Sequence, residues 1–193
     1  MYPFLRFVKT LFQSRRSPTL PLAGTHVSQH ICWPWDLAPF LELHNGRTLP
    51  LYDLGRFGLG ERMGLLSLLK REAWGLTIAG SSVRYRRRLR AFDRFEMRTR
   101  TVGWDDRFLY MEQAMWRRGT CTSHLLVRVA ITDRNGLVPM DRVAATHGIP
   151  PESPPLPAWI SAWIDAEAQR PWPPMQDDDP FGIGRAACAW LDA

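Results

Sequence analysis

A pattern of period two between residues 81 and 132 constrains the fold more than any other feature of the sequence. Four stretches within it alternate apolar with polar residues, namely 81–90, 93–104, 107–118 and 120–132. Because successive side chains of a β-strand point to opposite faces, this alternation predicts four strands that share one apolar face. The segments between them are short and turn-like, which predicts that the strands are antiparallel neighbours.

A helical pattern comes before these strands. Apolar residues recur near the 3.6-residue period from about Thr48 to Lys70, which predicts a long helix, and a strand is predicted around residues 25–33. Glycines inside the helical stretch, at Gly55, Gly58, Gly60 and Gly64, indicate close packing against a sheet or a break near Gly60. The predicted fold class is α+β, with a curved antiparallel sheet wrapped around one central helix.

The two ends of the chain are predicted to lie outside a central domain of residues 25–148. Residues 1–24 are assigned an amphipathic helix within 1–16 and a linker within 13–24. Two alternatives stay open for that helix: it lies at a membrane interface as a peripheral contact, or it packs on its own domain. Residues 149–193 are predicted to contain a proline-rich spacer, a docking helix and a peripheral tail.

The charge balance is basic, with 25 Lys and Arg against 19 Asp and Glu. Nearly all of the positive charge is arginine, whose planar guanidinium suits phosphate and carboxylate groups. An anionic partner such as a membrane surface or the phosphates of coenzyme A fits this balance, and so does a simply solvated surface. No nucleic-acid-binding motif is present, so we do not predict a nucleic-acid partner.

The three cysteines, Cys32, Cys121 and Cys188, stand far apart and form neither a C-x-x-C motif nor a disulfide framework. This usage favours a reducing, cytoplasmic location. No His and Cys cluster has ligand spacing, so no metal site is predicted. No apolar run reaches the roughly 18 residues of a membrane span.

The order of elements and several motifs resemble the hot-dog fold of the 4-hydroxybenzoyl-CoA thioesterase-like family, over about residues 25–135. Where that family has an acid after a strand, an Asn-Gly-Arg motif and a second acid with Gly-Arg on a helix, this chain has Asp36, Asn45, Gly46, Arg47, Asp53, Gly55 and Arg56. Residues 82–100 and 103–115 resemble the family's strand pairs. The chain departs from the family's pattern at Ala38, Glu42, His44, Thr48 and Pro50.

The resemblance implies an acyl-CoA thioesterase that acts as a homodimer or a dimer of dimers, with sites between subunits and no cofactor beyond the coenzyme A of its substrate. Thioester hydrolysis needs a carboxylate as base or nucleophile, together with donors for the developing oxyanion. The candidate carboxylates are Asp36, Asp53 and Glu42. The candidate substrate-binding residues lie at the predicted helix start, whose free N–H groups suit an oxyanion: His44, Asn45, Gly46 and Arg47.

Each candidate residue also has a structural alternative. Asp36 is equally suited to capping a turn, Asp53 to pairing with a nearby arginine on the helix surface, and Asn45 to capping the helix. Proline is tolerated mainly in a first helical turn, so Pro50 favours a helix that starts at Thr48. Since Ala38 stands where family enzymes often have an acid, a second hypothesis is a catalytically degenerate hot-dog protein. Such a protein binds acyl thioesters or a membrane surface without hydrolysis.

Overall fold

The computed structural model describes residues 2–171 and 173–174. The chain divides into two compact units, the first ending at Leu156 and the second beginning at Pro157. The described part of the first unit contains four α-helices, α1 (Phe4–Arg15), α2 (Asn45–Arg62), α3 (Leu65–Glu72) and α4 (Met140–His147), and a short 3-10 helix at Pro34–Asp36. Its strands are β1 (Thr25–Ile31), β2 (Gly75–Tyr85), β3 (Arg94–Trp104), β4 (Leu109–Arg117), β5 (Thr120–Asp133) and β6 (Gly136–Leu137).

The described part of the second unit contains one helix, α5 (Ala158–Ala168). Its existence confirms the helix predicted after the proline-rich spacer. The predicted tail after residue 174 lies outside the described residues, and so does Cys188. The other two cysteines, Cys32 and Cys121, are free thiols.

The sheet is antiparallel, with the strand order β1-β3-β4-β5-β2 and β6 paired to β5. It curls around α2, whose Leu51, Tyr52 and Leu54 are fully buried against apolar side chains of β3, β4 and β5. The predicted α+β fold with a curved sheet around a central helix is therefore confirmed. Strands β3, β4 and β5 are antiparallel neighbours as predicted.

The strand predicted over residues 81–90 was correct only for residues 81–85, and its predicted neighbour was wrong. β2 covers Gly75–Tyr85 and pairs with β5 at the far edge of the sheet rather than with β3. The arginine-rich run that follows leaves the sheet, because the N–H groups of Arg86 and Arg87 both donate to the carbonyl of Thr122, at 2.8 and 3.0 Å. Residues 86–93 then cross the end of the sheet to β1, where the Asp93 carbonyl accepts the N–H of Cys32.

The predicted long helix is two helices. The first begins at Asn45, not at Thr48, and holds Pro50 inside it. The chain breaks at Gly64 rather than near Gly60, because Gly64 takes the left-handed φ of 76° that ends α2 and starts α3. α1 ends at Arg15, so the predicted linker is shorter than residues 13–24.

Two glycines of α2 let the helix approach the sheet closely, as the sequence predicts. A Cβ atom on Gly55 would lie 2.6 Å from Met97 Sδ of β3, and one on Gly58 would lie 3.0 Å from Cδ2 of His26 on β1. Both contacts are far shorter than van der Waals distance. The absence of side chains at these two positions therefore sets the spacing between α2 and the sheet.

Replacing Gly55 by Ala is expected to lower the free energy of unfolding by about 1–3 kcal/mol, because the new methyl group overpacks a filled core. Gly60 is the matched control on the same helix, since a Cβ there meets the flexible end of Leu66 at 3.3 Å. Gly60→Ala should be neutral or stabilising by up to about 1 kcal/mol, as it removes a glycine from a helix interior. Urea unfolding of both variants tests this, and equal losses would contradict the close-approach account.

Two histidines of β1, His26 and His30, are held in their neutral forms. Burial, with the charge of Arg62, lowers the pKa of His26 to about 4. Burial, with the nearby charges of Arg6, His26 and Lys9, lowers the pKa of His30 to about 4. The His30 ring stacks on Phe95 at 5.6 Å between ring centroids. Both histidines therefore bind protons more weakly in the folded protein than in the unfolded chain.

Acidification is expected to destabilise the fold between about pH 6.5, the ordinary histidine pKa, and about pH 4. The stabilisation is fully present above pH 6.5, because both rings are then neutral in either state, and it is lost as the pH falls to 4. Over that range the free energy of unfolding of His30→Gln should fall by roughly 2 kcal/mol less than that of the wild type. Chemical unfolding at pH 7, 5.5 and 4.5 measures the difference, and parallel curves would contradict it.

Candidate functional site

The Asp36 carboxylate lies at the junction of three parts of the chain. Its side chain is completely buried. Oδ2 accepts hydrogen bonds from Arg6 Nη2 of α1 at 2.7 Å and from the Trp33 N–H at 2.9 Å, and Oδ1 accepts one from Arg47 Nε of α2 at 2.8 Å. One carboxylate thus ties the N-terminal helix to the first turn of the central helix.

This environment favours a structural role for Asp36. Both of its oxygens bind arginine, and its side chain has no exposed surface from which to reach a carbonyl carbon or a water molecule. Asp36 therefore fits the role of a tether between α1 and α2 better than that of a catalytic acid.

Asp36→Asn is expected to lower the free energy of unfolding by about 3–5 kcal/mol, since it removes the buried charge that the Arg6 and Arg47 guanidinium groups both bind. The matched control is Glu61→Gln, which removes another ion pair between α2 and α1. That pair joins Glu61 to Arg15, whose side chain is 67% exposed, so its loss should change stability by less than about 1 kcal/mol. Thermal and urea unfolding test both variants. A stable Asp36→Asn protein would contradict the tether.

The start of α2 satisfies most of its own N–H groups. His44 caps the helix: its Nδ1 accepts the Gly46 N–H at 2.9 Å, and its carbonyl accepts the N–H groups of Arg47 and Thr48 at 2.9 and 3.0 Å. The two donors proposed from the sequence, at Gly46 and Arg47, are therefore already engaged. Among the residues that the structure describes, no acceptor binds the Asn45 N–H, so it is the donor available for an oxyanion.

A pocket of about 260 Å³ opens at this helix start, and we call it the helix-start pocket. Its wall includes Glu42, Asn45, Thr48 and the arginines at 86–88. The Glu42 carboxylate pairs with Arg88 at 2.6 Å and is about one third exposed. Arg87 and Arg88 also line an adjoining groove with Arg117 and Arg118. The surroundings of the helix start are therefore strongly cationic.

A larger cavity of about 570 Å³ lies further along α2, and we call it the apolar cavity. Its size falls within the range of small-molecule sites. The walls come from the start of α1, from α2 and α3, and from β2, β4 and β5. The lining side chains are mostly aromatic and aliphatic: Tyr2, Phe4, Phe7, Phe57, Leu65, Leu66, Leu69, Leu76, Ile78, Met111 and Val129.

Two charged residues, Asp53 and Arg56, line the apolar cavity as an ion pair one helical turn apart. Arg56 also donates from Nη1 to Oε1 of the buried Gln113 at 2.6 Å. Gln113 Nε2 in turn donates to the Tyr52 carbonyl and to Thr99 Oγ1, both at 2.9 Å. Burial lowers the pKa of Arg56 to about 10, which still leaves it a cation at neutral pH. Asp53 therefore has a fixed orientation at the edge of an apolar space.

The Asn45 N–H and the Asp53 carboxylate are far apart within one chain. Asp53 follows Asn45 by eight residues on the same helix, which corresponds to about 12 Å along the axis. A single thioester carbonyl cannot contact both groups of one protomer. Glu42, in contrast, shares the helix-start pocket with Asn45.

The structure thus distributes the predicted residues over three places: Asp36 and Arg47 in the tether, Glu42 and Asn45 in the helix-start pocket, and Asp53 in the apolar cavity. Three residues of these places were not predicted from the sequence, namely Arg6, Tyr2 and Gln113. Arg6 gave no clear signal, because it lies on the face of the helix opposite Leu5, Val8 and Phe12, where a solvated cation is expected. Gln113 gave a weak signal, as a polar residue on the apolar face of a strand.

Neither a metal cluster nor a membrane span is found in the described part of the chain. Within residues 2–171 and 173–174, no three His, Cys, Asp or Glu side chains are grouped so that they could hold a metal ion. None of the helices within those residues is long and apolar enough to cross a bilayer.

Comparison with known proteins agrees with this architecture. The fold is similar to that of the probable thioesterase YbaW from Escherichia coli, with a TM-score of 0.59 at 12% identity, over 62% of this chain and 94% of that one. It is also similar to BH1999 gentisyl-coenzyme A thioesterase, with a TM-score of 0.55 at 14% identity, over 59% and 94% of the two chains. At these identities the likeness shows the fold alone, which is the hot-dog fold of these thioesterases.

Sequence comparison defines the family. The model of the Thioesterase-like superfamily matches residues 32–164, and the chain belongs to that superfamily. The chain is 34% identical over 111 residues to Protein THEM6 of Xenopus laevis, a match that covers 57% of this chain and about half, 54%, of that protein. It is 28% identical over 166 residues to Protein THEM6 of Drosophila melanogaster, covering 84% and 82% of the two chains. The narrower resemblance, to the 4-hydroxybenzoyl-CoA thioesterase-like family, stays a prediction.

Proposed function

We propose that the protein hydrolyses acyl-CoA thioesters, with the acyl group in the apolar cavity and the Asp53 carboxylate as general base or nucleophile. The observation that carries this proposal is the apolar cavity itself, whose charged lining residues are Asp53 and Arg56. An acyl chain gains stability by leaving water for such a space. A carboxylate at its edge is suitably placed to act on the thioester at the end of that chain.

The choice of Asp53 over the other two carboxylates rests on access. Asp36 is enclosed by two arginines and the backbone of Trp33. Glu42 is paired with Arg88 in the smaller helix-start pocket, which offers an acyl chain less apolar surface than the apolar cavity does. Asp53 combines partial exposure with an apolar neighbourhood. Its partner Arg56 is held in turn by Gln113, which keeps the carboxylate oriented.

We propose further that the active unit is a homodimer, with larger assemblies left open. Edge strand β2 is 11 residues long and largely exposed, and its half-exposed Leu76 and Ile78 also line the apolar cavity. An edge of this kind is suited to pairing with a second copy. Since Asn45 and Asp53 of one chain are about 12 Å apart, the proposed site combines the Asn45 N–H of one protomer with Asp53 of its partner.

In this site a water molecule activated by Asp53 attacks the thioester carbon, or Asp53 attacks it directly and water then hydrolyses the resulting anhydride. The Asn45 N–H and the dipole of α2 stabilise the oxyanion. The C–S bond breaks, and the products are the free acid and the coenzyme A thiol. The arginines around the helix-start pocket are the proposed partners of the coenzyme A phosphates. The free thiols of Cys32 and Cys121 fit a reducing, cytoplasmic setting.

Asp53→Asn is expected to reduce kcat for acyl-CoA hydrolysis by at least about 100-fold, because an amide can neither take a proton nor attack the carbonyl. Glu42→Gln is the comparison variant and should leave kcat within a few-fold of the wild type. Thiol release from a panel of aromatic and aliphatic acyl-CoAs measures both. Absence of turnover on every substrate would refute the proposed activity, and loss with Glu42→Gln alone would move the catalytic role to Glu42.

A proline at position 45 tests the oxyanion donor. Proline is well tolerated at the first residue of a helix, and His44 already has the extended backbone that a following proline requires. Asn45→Pro removes the N–H and should lower kcat by about 100-fold or more, whereas Asn45→Ala keeps the N–H and should stay active. In a shared site, mixing Asn45→Pro and Asp53→Asn protomers should restore activity. Failure of that mixture, with hybrid dimers present, would contradict a site between subunits.

The alternative function is binding of acyl thioesters without hydrolysis. The burial of Asp36 favours it, because the acid at the family's first motif position is unavailable. In that case calorimetry would detect binding of acyl-CoA to the wild type, and the substrate panel would give no thiol release above background.

A further inference from the structure

Helix α1 presents three large apolar side chains outward. Leu5, Val8 and Phe12 lie on one face of the helix and are 89%, 63% and 54% exposed. Toward the domain, α1 buries the small polar side chains of Thr10 and Ser14 and packs Phe7 on Phe57. An ordinary surface helix has its apolar stripe toward the core, whereas α1 leaves much of its apolar surface exposed. We call the exposed stripe, with Phe4 at its end, the outer face of α1.

The charged side chains of α1 itself all have one sign. Lys9 and Arg16 border the outer face, and residues 1–35 contain no Asp or Glu. The inward-facing Arg6 is paired with Asp36 and Arg15 with Glu61, whereas Lys9 and Arg16 are exposed residues. An apolar stripe with cationic borders is the composition of a helix that lies in the interface of an anionic bilayer.

The outer face continues into a second group of aromatic side chains. A groove of about 970 Å³ between α1 and β1 is lined by Lys9 and Phe12 on one side and by Trp33 on the other. Trp33 stacks on Trp35 with ring centroids 5.2 Å apart, and Trp35 is 67% exposed. Arg62 and Arg94 add further positive charge to this groove. Tryptophan is enriched where proteins meet the bilayer interface.

From these observations we infer that the outer face of α1 docks the protein on an anionic phospholipid surface as a peripheral contact. The apolar side chains enter the boundary between headgroups and acyl chains, and Lys9 and Arg16 contact the headgroup phosphates. A second copy of the chain is a poorer occupant, because two such faces would bring like charges together without an acidic partner. This inference does not depend on the proposed thioesterase activity.

Sedimentation with sucrose-loaded vesicles tests the inference, using phosphatidylcholine alone and phosphatidylcholine mixed with phosphatidylglycerol. The wild type should bind the mixed vesicles at least tenfold more tightly than the neutral ones. The double variant Lys9→Glu with Arg16→Glu should bind the mixed vesicles at least about 30-fold more weakly, because the loss of each basic residue near a charged surface costs about fivefold and each new carboxylate adds repulsion. The triple variant Leu5→Glu, Val8→Glu and Phe12→Glu should lose binding to both compositions.

The matched control for the charge change is Arg107→Glu with Arg134→Glu, two exposed arginines distant in sequence from α1. This variant has the same net charge as the Lys9 and Arg16 variant. If it still binds the mixed vesicles, the position of the charges and not the net charge determines binding. Equal losses in both pairs would overturn the inference. Absence of vesicle binding by the wild type would also overturn it.

Two further measurements show whether the triple variant is folded and whether its oligomeric state has changed. Because the substituted α1 residues are exposed, circular dichroism and thermal unfolding should be unchanged in the triple variant. Light scattering then compares its mass with that of the wild type. A wild-type oligomer that dissociates in the triple variant, without any vesicle binding, would identify a second copy as the occupant and would contradict the lipid inference.

Discussion

The buried Asp36 carboxylate is the interaction on which the arrangement of the site depends. It binds Arg6 of α1, Arg47 of α2 and the backbone at Trp33 in a single enclosed cluster. The carbonyl of Asp36 also accepts the N–H of His44, the residue that caps α2. One residue therefore fixes the positions of α1, of the loop that leads into α2 and of the first turn of α2.

Because α1 is held in this way, its first turn lines the apolar cavity while its outer face stays exposed. Its first residues supply Tyr2, Phe4 and Phe7 to the wall of the apolar cavity, and a ring contact of 4.8 Å joins Phe7 to Phe57 of α2. Phe4 belongs both to the cavity wall and to the outer face. In the proposed account, the helix that closes the acyl cavity is also the helix that meets the lipid, so an acyl substrate arriving from a membrane enters close to Asp53.

The sequence predicted the parts of the fold that depend on local periodicity. The alternation in residues 93–132 identified β3, β4 and β5, and Gly55 and Gly58 predicted the close approach of α2 to the sheet. The arginine-rich run after Tyr85 was misassigned to a strand, because its alternation continues although its N–H groups bond to the carbonyl of Thr122. Such a crossing depends on tertiary contacts, and neither residue composition nor periodicity encodes it.

For the candidate site, the motif from Asp36 to Arg56 predicted the residues but not the three separate places in which the structure holds them. The sequence motif is the same whether its acid faces a substrate or two arginines. In the structure one of the two arginines that enclose Asp36 is Arg6, which lies 30 residues away in the sequence and is not part of the motif. Likewise, the cap made by the His44 ring, which engages the Gly46 N–H, can be recognised only from the side-chain geometry.

A crystal structure with a non-hydrolysable acyl-CoA analogue tests the central claim most directly, because it locates the thioester carbon. The account predicts the acyl chain in the apolar cavity beneath α1, with the carbonyl between Asp53 of one subunit and the Asn45 N–H of the other. An acyl group bound in the helix-start pocket beside Glu42, with Asp53 beyond hydrogen-bond reach of the carbonyl, would contradict it.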